Sequence, residues 1–530
     1  MKKSFIFSFL MAIFAIAMTG CRTTPQSALS VTPPSLRFKA AGESKDIEIT
    51  SNVLWTISEL PEWIEEVSPS SGKGNATVKV KASANATAQK REKDKFKITA
   101  ADVPVLTVDV YQDESTTVDI SEIRGIKAPA VGVTPASKID DTEQYVGKVT
   151  WSPTGAFAAG TAYTATITLT AEPGYTLEGV PINFFDVAGA TSVTNAADRG
   201  VITATFPTIP NGTTDHPFLV ATVADLQKVG TDVDDWTLSK RYRQTANINL
   251  KDVANWTPIG NNDTRFTGVY DGGGYSIDYL KIPSTNTEYQ GLFGVIGASG
   301  EVRNVSLREV KINSTVRFVG AIASHNNGTI ENCYATGELK GLHFVGGVSG
   351  VNFKVIKNCY TTCVVEGIGA YVGGISGQCG MGGKIERCYA TGIISGTNYI
   401  GGIVGENIIS DAIVELCVAL NSKVSASDGD YVGRIAFNNT GTSINNYARS
   451  DMKLFADGVQ ITPITPEISG NHGDDVEPDD YHGERSGTWW NSSSGVRFSL
   501  NNWDFANNRL PHLKTTAGKA FAEEQTPAVN

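Results

Sequence analysis

Between residues 28 and 115 the chain alternates apolar and polar positions in short runs: LSVTPPSLRF, KDIEIT, LWTISEL, ATVKVKA, KFKIT and LTVDVY. Alternation with a period of two over this length marks half-buried strands. Turn-forming clusters such as SPSSGKGN separate the runs. Several short strands in so small a segment predict a β-sandwich. The pattern resumes in VGKVTWSP, YTATITLTA and GVITATFP, which predicts a second, Ig-like sandwich over 118–208. Its aromatics Phe157, Tyr163, Tyr175, Phe184 and Phe185 are expected in the core. No cluster of His, Cys or paired carboxylates interrupts it, so its expected role is that of a spacer. In the first sandwich Trp55 is expected to be core. Trp63, just after Pro61, is a possible ligand surface, since an exposed tryptophan can stack on a sugar ring.

From residue 212 to about 515 the pattern repeats. Copies begin at the aromatic residues Tyr289, Phe318, Phe344, Tyr371, Tyr399 and Tyr431, spaced 29, 26, 27, 28 and 32 residues apart. A period of this size, glycine-rich and without a helical stripe, predicts a β-solenoid with one coil per period. Coils stack at about 4.8 Å, so equivalent residues form columns. Read at period two, Cys333, Ala335, Gly337 and Leu339 share one face and Tyr334, Thr336 and Glu338 the other. The cysteine face is small and apolar and therefore interior. Cys333, Cys359, Cys388 and Cys417 are expected to form a packing column of small hydrophobes, a structural ladder. One zinc ion cannot bridge sulfurs spread along such a column, and no histidine lies in these strands to activate a thiol. Disulfides between neighbouring coils stay open as an alternative. Tyr334, Tyr360 and Tyr389 are expected to point outward, as a ladder of mutually stacked rings or as a possible ligand surface. The doublets Gly346-Gly347, Gly373-Gly374 and Gly401-Gly402 suit tight turns or close backbone approach, and they carry no P-loop lysine.

The repeat, VGGxxG followed by a variable turn and then I-x-N-C-Y-A-T-G, is similar to the GLUG motif family. The resemblance implies a right-handed β-helix in exported surface proteins. In some bacterial proteases the motif lies beside a separate catalytic domain, so the resemblance fixes no activity. DHPFLVATVADLQKVG resembles the entry segment of such modules, with VADLQKVG a short helix capping the open end, and WDFANNRLPHL resembles their closing strand. LPEWIEEVSPSSGKGNATVKV and VYQDE resemble the BACON domain, which implies a carbohydrate- or mucin-binding module or a spacer.

The N-terminus changes the expected location. Lys2 and Lys3 precede a 13-residue run, FIFSFLMAIFAIA, too short to span a bilayer and matching a secretory signal. MTGC resembles a lipobox, which implies cleavage after Gly20 and lipid attachment at Cys21. Arg22 rather than Asp follows the cysteine, favouring an outer-membrane address. Residues 1–20 are thus the expected signal peptide, 21–27 an anchor linker and 516–530 a C-terminal tail. The formal net charge of −11 argues against a nucleic-acid partner. Apart from Cys21 only six cysteines occur, all within 333–417, which is no disulfide scaffold. The acidic stretch HGDDVEPDDYHGERSG (472–487) contains carboxylates for a hard cation but lacks EF-hand spacing, and is expected to be a solvated, mobile insertion. The coils are poor in acids, and neither H-E-x-x-H nor G-x-S-x-G occurs.

The sequence therefore predicts an all-β chain: two N-terminal sandwiches, then a right-handed β-helix, with no catalytic residue, cofactor or metal assigned. The expected function is a non-catalytic, lipid-anchored surface protein, an adhesin or a glycan- or host-ligand-binding protein on a β-sandwich stalk, whose partners are a membrane, through the anchor, and a glycan, mucin or host surface protein. The competing readings are a β-helix lyase or hydrolase acting on carbohydrate and a purely architectural envelope component.

Overall fold

The structure is a computed structural model that describes residues 26–530 except 284–286, 430, 463, 523–524, 526 and 528–530. Cys21 and the expected signal peptide lie outside the described residues. The chain divides into two compact units, 1–208 and 209–530, and is nearly all β.

In the first unit the period-two runs form the expected sandwiches. A four-stranded sheet contains Leu29–Thr32, Ser44–Ser51, Ala76–Ala82 and Ile64–Ser68 in that order. A five-stranded sheet contains Ser35–Phe38, Leu106–Gln112, Arg91–Ala100, Leu54–Ser58 and Ser71–Lys73. Their inward residues Phe38, Ile47, Trp55, Val78, Val80, Phe96 and Val108 make one buried core. Trp55 belongs to it and donates from Nε1 to the Gly74 carbonyl at 2.9 Å. Gly72 passes so close that a Cβ there would stand 2.6 Å from the Trp55 ring. The second sandwich carries Tyr145–Ser152, Thr164–Ala171, Val201–Thr205 and Ser192–Asn195 in one sheet. Its core is aromatic: Phe157 lies 4.9 Å from Trp151 and 4.8 Å from Tyr163. Phe157, Tyr163 and Phe185 are buried as expected, while Tyr175 and Phe184 are half-buried.

The second unit is a β-solenoid of about eight turns. Every coil contributes to parallel sheets whose strands lie in register, for example Ile330 on Ile356, Ile356 on Ile385 and Ile385 on Val414. The Cys333, Cys359, Cys388 and Cys417 side chains are fully buried in its core, and all are free thiols, so the disulfide alternative is not realised. Each Sγ lies 3.2–3.3 Å from the carbonyl two residues earlier, on Glu331, Lys357, Glu386 and Glu415. Burial pushes the Cys333 and Cys388 thiols well up from the ordinary value, which leaves them small neutral packing groups. In the last coil Asn446 occupies this position and bonds the Val414 carbonyl and Ser443 Oγ, both at 2.8 Å. The glycine of each V-G step is obligatory: a Cβ at Gly346, Gly373 or Gly401 would stand 2.0–2.1 Å from the carbonyl of Ser349, Ser376 or Val404.

The two ends differ in how far they match expectation. At the N-terminal end Val223–Lys228 is the predicted short helix, with Thr222 and Asp225 forming a reciprocal capping box and Leu226 buried. At the C-terminal end the mobile insertion expected at 472–487 is instead ordered structure. Asp474–Val476 pairs with Tyr447–Arg449 as a further rung, and Pro478–Tyr481 and Ser486–Trp489 are short helices. Asp475 meets Arg434 at 2.5 Å, and Arg434 is only 2% exposed, so one of these acids neutralises a buried cation. Trp503–Asp504 pairs with His512–Leu513 in an antiparallel hairpin rather than closing the solenoid. Beyond residue 515 the chain still packs: Thr516 accepts from Asn304 Nδ2 and Phe521 is buried.

One column is interrupted. Asn326 donates from Nδ2 to Asn352 Oδ1 at 2.8 Å, and Asn407 to Asn439 Oδ1 at 2.7 Å. Between them stands Cys379, to which Asn352 Nδ2 makes only a 3.7 Å contact with sulfur. The buried Asn407 Oδ1 is left without a partner. Restoring the amide in Cys379→Asn would complete the ladder, and a buried amide bond of this kind contributes about 1 kcal/mol. We expect the variant to unfold at higher denaturant concentration with an unchanged slope. A midpoint at or below wild type would show that the ladder does not couple through this position.

Candidate functional site

Three outer faces of the solenoid differ in chemistry. On the nine-stranded sheet the outward residues form a file of ion pairs. Arg303 meets Asp271 at 3.1 Å and Glu301 at 2.6 Å, Lys357 meets Glu331 at 3.2 Å, and Lys384 meets both Glu386 and Glu415 at 2.8 Å. Signs cancel along this face, and exposed pairs of this sort contribute little each. It presents no concentrated field to a ligand.

The second face carries Tyr334, Tyr360 and Tyr389. They do point away from the coil interior and stack as a ladder, with centroids 4.8 Å apart and planes within 6° and 3°. Their ring faces are not open for a ligand to stack on: all three are at most 2% exposed. The chain from Val476 to Phe521 folds back over them and forms a second core with Tyr481, Trp490, Phe498, Trp503 and Leu513. Polar bonds fix this strap to the corner of successive coils. Thr516 N donates to Asn304 Oδ1 at 2.7 Å, Asn332 Nδ2 to the Lys514 carbonyl at 3.1 Å, and Trp503 Nε1 to Asn358 Oδ1 at 3.3 Å. Tyr389 Oη donates to the Pro511 carbonyl at 2.7 Å. The repeated asparagine before the cysteine is thus a docking point for the strap. In the first unit Trp63 is half-buried, edge-on to Phe38 at 6.0 Å, with the Arg91 guanidinium 5.5 Å over its ring. Arg91 thus covers one face of the ring.

The third face holds what the sequence reading passed over. The aromatic residue that opens each copy stands at a corner, half-buried, and the rings stack along the solenoid. Tyr289, Phe318, Phe344, Tyr371 and Tyr399 lie 5.3, 5.1, 4.6 and 4.9 Å apart, with planes within 18°. Tyr431 continues the file at 5.5 Å but tilts by 42° and is 38% exposed. The five stacked residues have φ between 53° and 70°. This left-handed region is costly for a bulky side chain. Stacking contributes about 0.5–1.5 kcal/mol per pair and offsets part of that cost. In the sequence these residues are the aromatic two positions before a glycine in each copy, which marks the period and carries no sign of exposure.

A second file runs beside the strip on the adjacent strands. His325 packs against Phe318 at 4.3 Å and Tyr289 at 5.0 Å, and Phe437 lies edge-on to Tyr399 and Tyr431. Between them Glu406, 5% exposed, accepts from Gln378 Nε2 at 2.7 Å and Asn438 Nδ2 at 3.0 Å. These amides lie on the rungs directly before and after it. Burial, and then the Glu406 charge, pushes the Tyr371 phenol up. Burial, and then Arg265, brings the His325 imidazole down to about 4. Both shifts favour the neutral form of these two groups.

Among the described residues no group of three or more His, Cys, Asp or Glu is placed to hold a metal ion. No helix of the described residues is long and apolar enough to cross a membrane.

No protein-family model matches the chain. Halomucin of Haloquadratum walsbyi is 32% identical over 180 residues, 30% of this chain and 2% of its own length. A "Putative Gly-rich membrane protein" of Evansella cellulosilytica is 35% identical over 128 residues, 23% of this chain and 14% of its own. The chain thus spans only a small part of these curated relatives. Among solved structures, a "putative immunoglobulin A1 protease" from Bacteroides ovatus is 24% identical with a TM-score of 0.48, covering 58% of this chain and 94% of that one. A Bacteroides ovatus GH5 xyloglucanase is 25% identical with a TM-score of 0.16, over 19% of this chain and 22% of that one. At these scores neither structure bears on activity.

The sign of the His325 effect follows from its depressed value. The unfolded imidazole binds a proton near pH 6.5, while the folded one does so only near 4. The stability associated with neutral His325 is present above 6.5 and is lost as pH falls towards 4. We expect the melting midpoint to drop over that window and to drop less in His325→Phe. Parallel pH curves for the two proteins would remove His325 from the account.

Proposed function

We propose that this chain is a non-catalytic cell-surface binding protein and that the stacked aromatic strip of the solenoid is its contact surface. The observation that carries the reading is the file from Tyr289 to Tyr431, whose first five rings are half-buried and held in strained backbone. Ring faces are used up in stacking, so the edges form one apolar band beside the polar row of Gln378, Glu406 and Asn438. A band of this kind suits an extended partner that lies along several coils, and mucin-type glycoprotein is the partner class we favour. Aromatic-lined surfaces accept extended proline-rich chain well, and the rigid rungs need no ordering on contact.

A cell-surface location draws support from the two curated relatives, whose names are halomucin and a Gly-rich membrane protein. The lipobox at Cys21 and Arg22 supports an outer-membrane lipoprotein. The GLUG-like repeats and BACON-like first sandwich, resting on the quoted motifs, fit the same reading. The absence of catalysis rests on the chemistry of the faces: cancelling ion pairs on one, a covered tyrosine ladder on another, and an apolar band on the third.

The test is retention of the full chain on mucin-coated and glycan-array surfaces. Phe344→Ser combined with Tyr371→Ser should weaken retention about tenfold or more, as loss of central aromatic anchors does. Tyr431→Ser, at the tilted end, should weaken it less. Melting curves establish that each variant is folded at the assay temperature. Wild-type retention by the folded double variant would sink the strip as the contact surface, and new reducing ends or unsaturated products from a polysaccharide panel would sink the non-catalytic reading.

A further inference from the structure

A second, separate place on the solenoid has unused side chains. The strands Ser276–Asp278 and Ser306–Asn313 pair in register, so Tyr279 lies one rung from Glu309. The register then slips between Leu307 and Val310 against the next coil, a bulge that contains Glu309. Both have left-handed backbone, φ 61° at Tyr279 and 54° at Glu309. Several other such residues in the solenoid have an evident compensation. Asn304, Asn332 and Asn358 bond the strap, and the strip rings stack on one another. Tyr279 is 44% exposed, and among the described residues its side chain makes no hydrogen bond or ring contact. The Glu309 side chain is exposed and forms no ion pair among the described residues.

These two side chains flank a cavity of about 250 Å³. Its floor is rigid: Arg308 grips Asp278 through two bonds of 2.7 and 2.6 Å, and Asp278 is 13% exposed. Thr336 lines the cavity, its Oγ1 accepting from Glu309 N at 3.1 Å. The volume lies below that of pockets for drug-sized ligands and fits one small ring. Two carboxylates against one guanidinium leave the site net negative, which disfavours an anion. A free aromatic face, a carboxylate acceptor and a hydroxyl together match the apolar face and hydroxyl edge of a pyranose.

We propose that this cleft binds a single neutral sugar residue, with Tyr279 stacking on the ring and Glu309 accepting from its hydroxyls. The site is distinct from the aromatic strip and stands independently of it. Ligand-observed NMR on the full chain tests it with methyl glucopyranoside, galactopyranoside and mannopyranoside as probes and N-acetylneuraminic acid as the anionic control. At least one neutral glycoside should bind. Tyr279→Ala and Glu309→Gln should each weaken it about tenfold, the size expected for one ring contact or one charge-assisted bond. Tyr279→Phe should bind as wild type, and so should the folded Phe344→Ser, Tyr371→Ser protein, which separates this site from the strip. Both target residues are exposed, so equal melting midpoints verify folding. The proposal is overturned if no neutral glycoside binds, if Tyr279→Ala binds as tightly as wild type, or if the acidic sugar binds better than the neutral ones.

Discussion

Parallel hydrogen bonding in register between coils is the constraint on which the rest of the solenoid depends. It sets one residue directly over its equivalent about 4.8 Å away, so that any side chain kept in the repeat meets its own kind. Isoleucine and valine stack as a dry column at Ile330, Ile356, Ile385 and Val414. The cysteines stack as free, buried thiols with fixed carbonyl partners. Asparagines stack as a ladder of amide bonds. Tyrosines stack face to face, because that spacing is close to the natural separation of offset rings. A single substitution is therefore felt on two rungs, as Cys379 shows by leaving Asn407 Oδ1 without a donor.

The corners carry the complementary constraint. A coil must turn several times in fewer than thirty residues or so, and its turns place non-glycine residues in left-handed backbone. Two corner families have different compensation. At Asn304, Asn332 and Asn358 the side chains are bound by the C-terminal strap, and the hydrophobic cover over Tyr334, Tyr360 and Tyr389 follows from that docking. At Phe318, Phe344 and Tyr371 the compensation is mutual stacking, which leaves ring edges in solvent. The same backbone strain thus produces a sealed face in one place and an open apolar band in another. What separates them is whether a later part of the chain returns to cover the column.

This difference also explains what could be read from the sequence. Period and parity are local properties. They sufficed for the sandwiches, the solenoid, the inward cysteines and the outward, stacked tyrosines. Whether an outward residue stays exposed is not local. Tyr360 is sealed by Trp503, some 140 residues later, and no spacing rule connects the two. The acidic run at 472–487 misled for the same reason. Its charge suggested solvent, yet Asp475 has a buried cation in Arg434, which the fold brings in from an earlier coil. The aromatic strip was missed because its residues mark the repeat so regularly that they served as punctuation.

The contact surface proposed for the strip would have a property that loops do not share. Each ring of the strip is fixed by its neighbours above and below and by the hydrogen-bonded backbone beneath it, so little conformational freedom remains to be lost on contact. Affinity then depends on how many rungs a partner touches, and a long partner gains with each additional coil in the manner of linked sites. An enclosed pocket obtains selectivity by surrounding a small ligand, whereas an open file of equal rungs obtains strength by length. The chemistry of the three faces fits that division. Ion pairs that cancel along one face keep it solvated, the strap covers the tyrosine ladder of the second and leaves a small cleft beside Tyr279 and Glu309 at its end, and the apolar band is the face proposed for an extended partner.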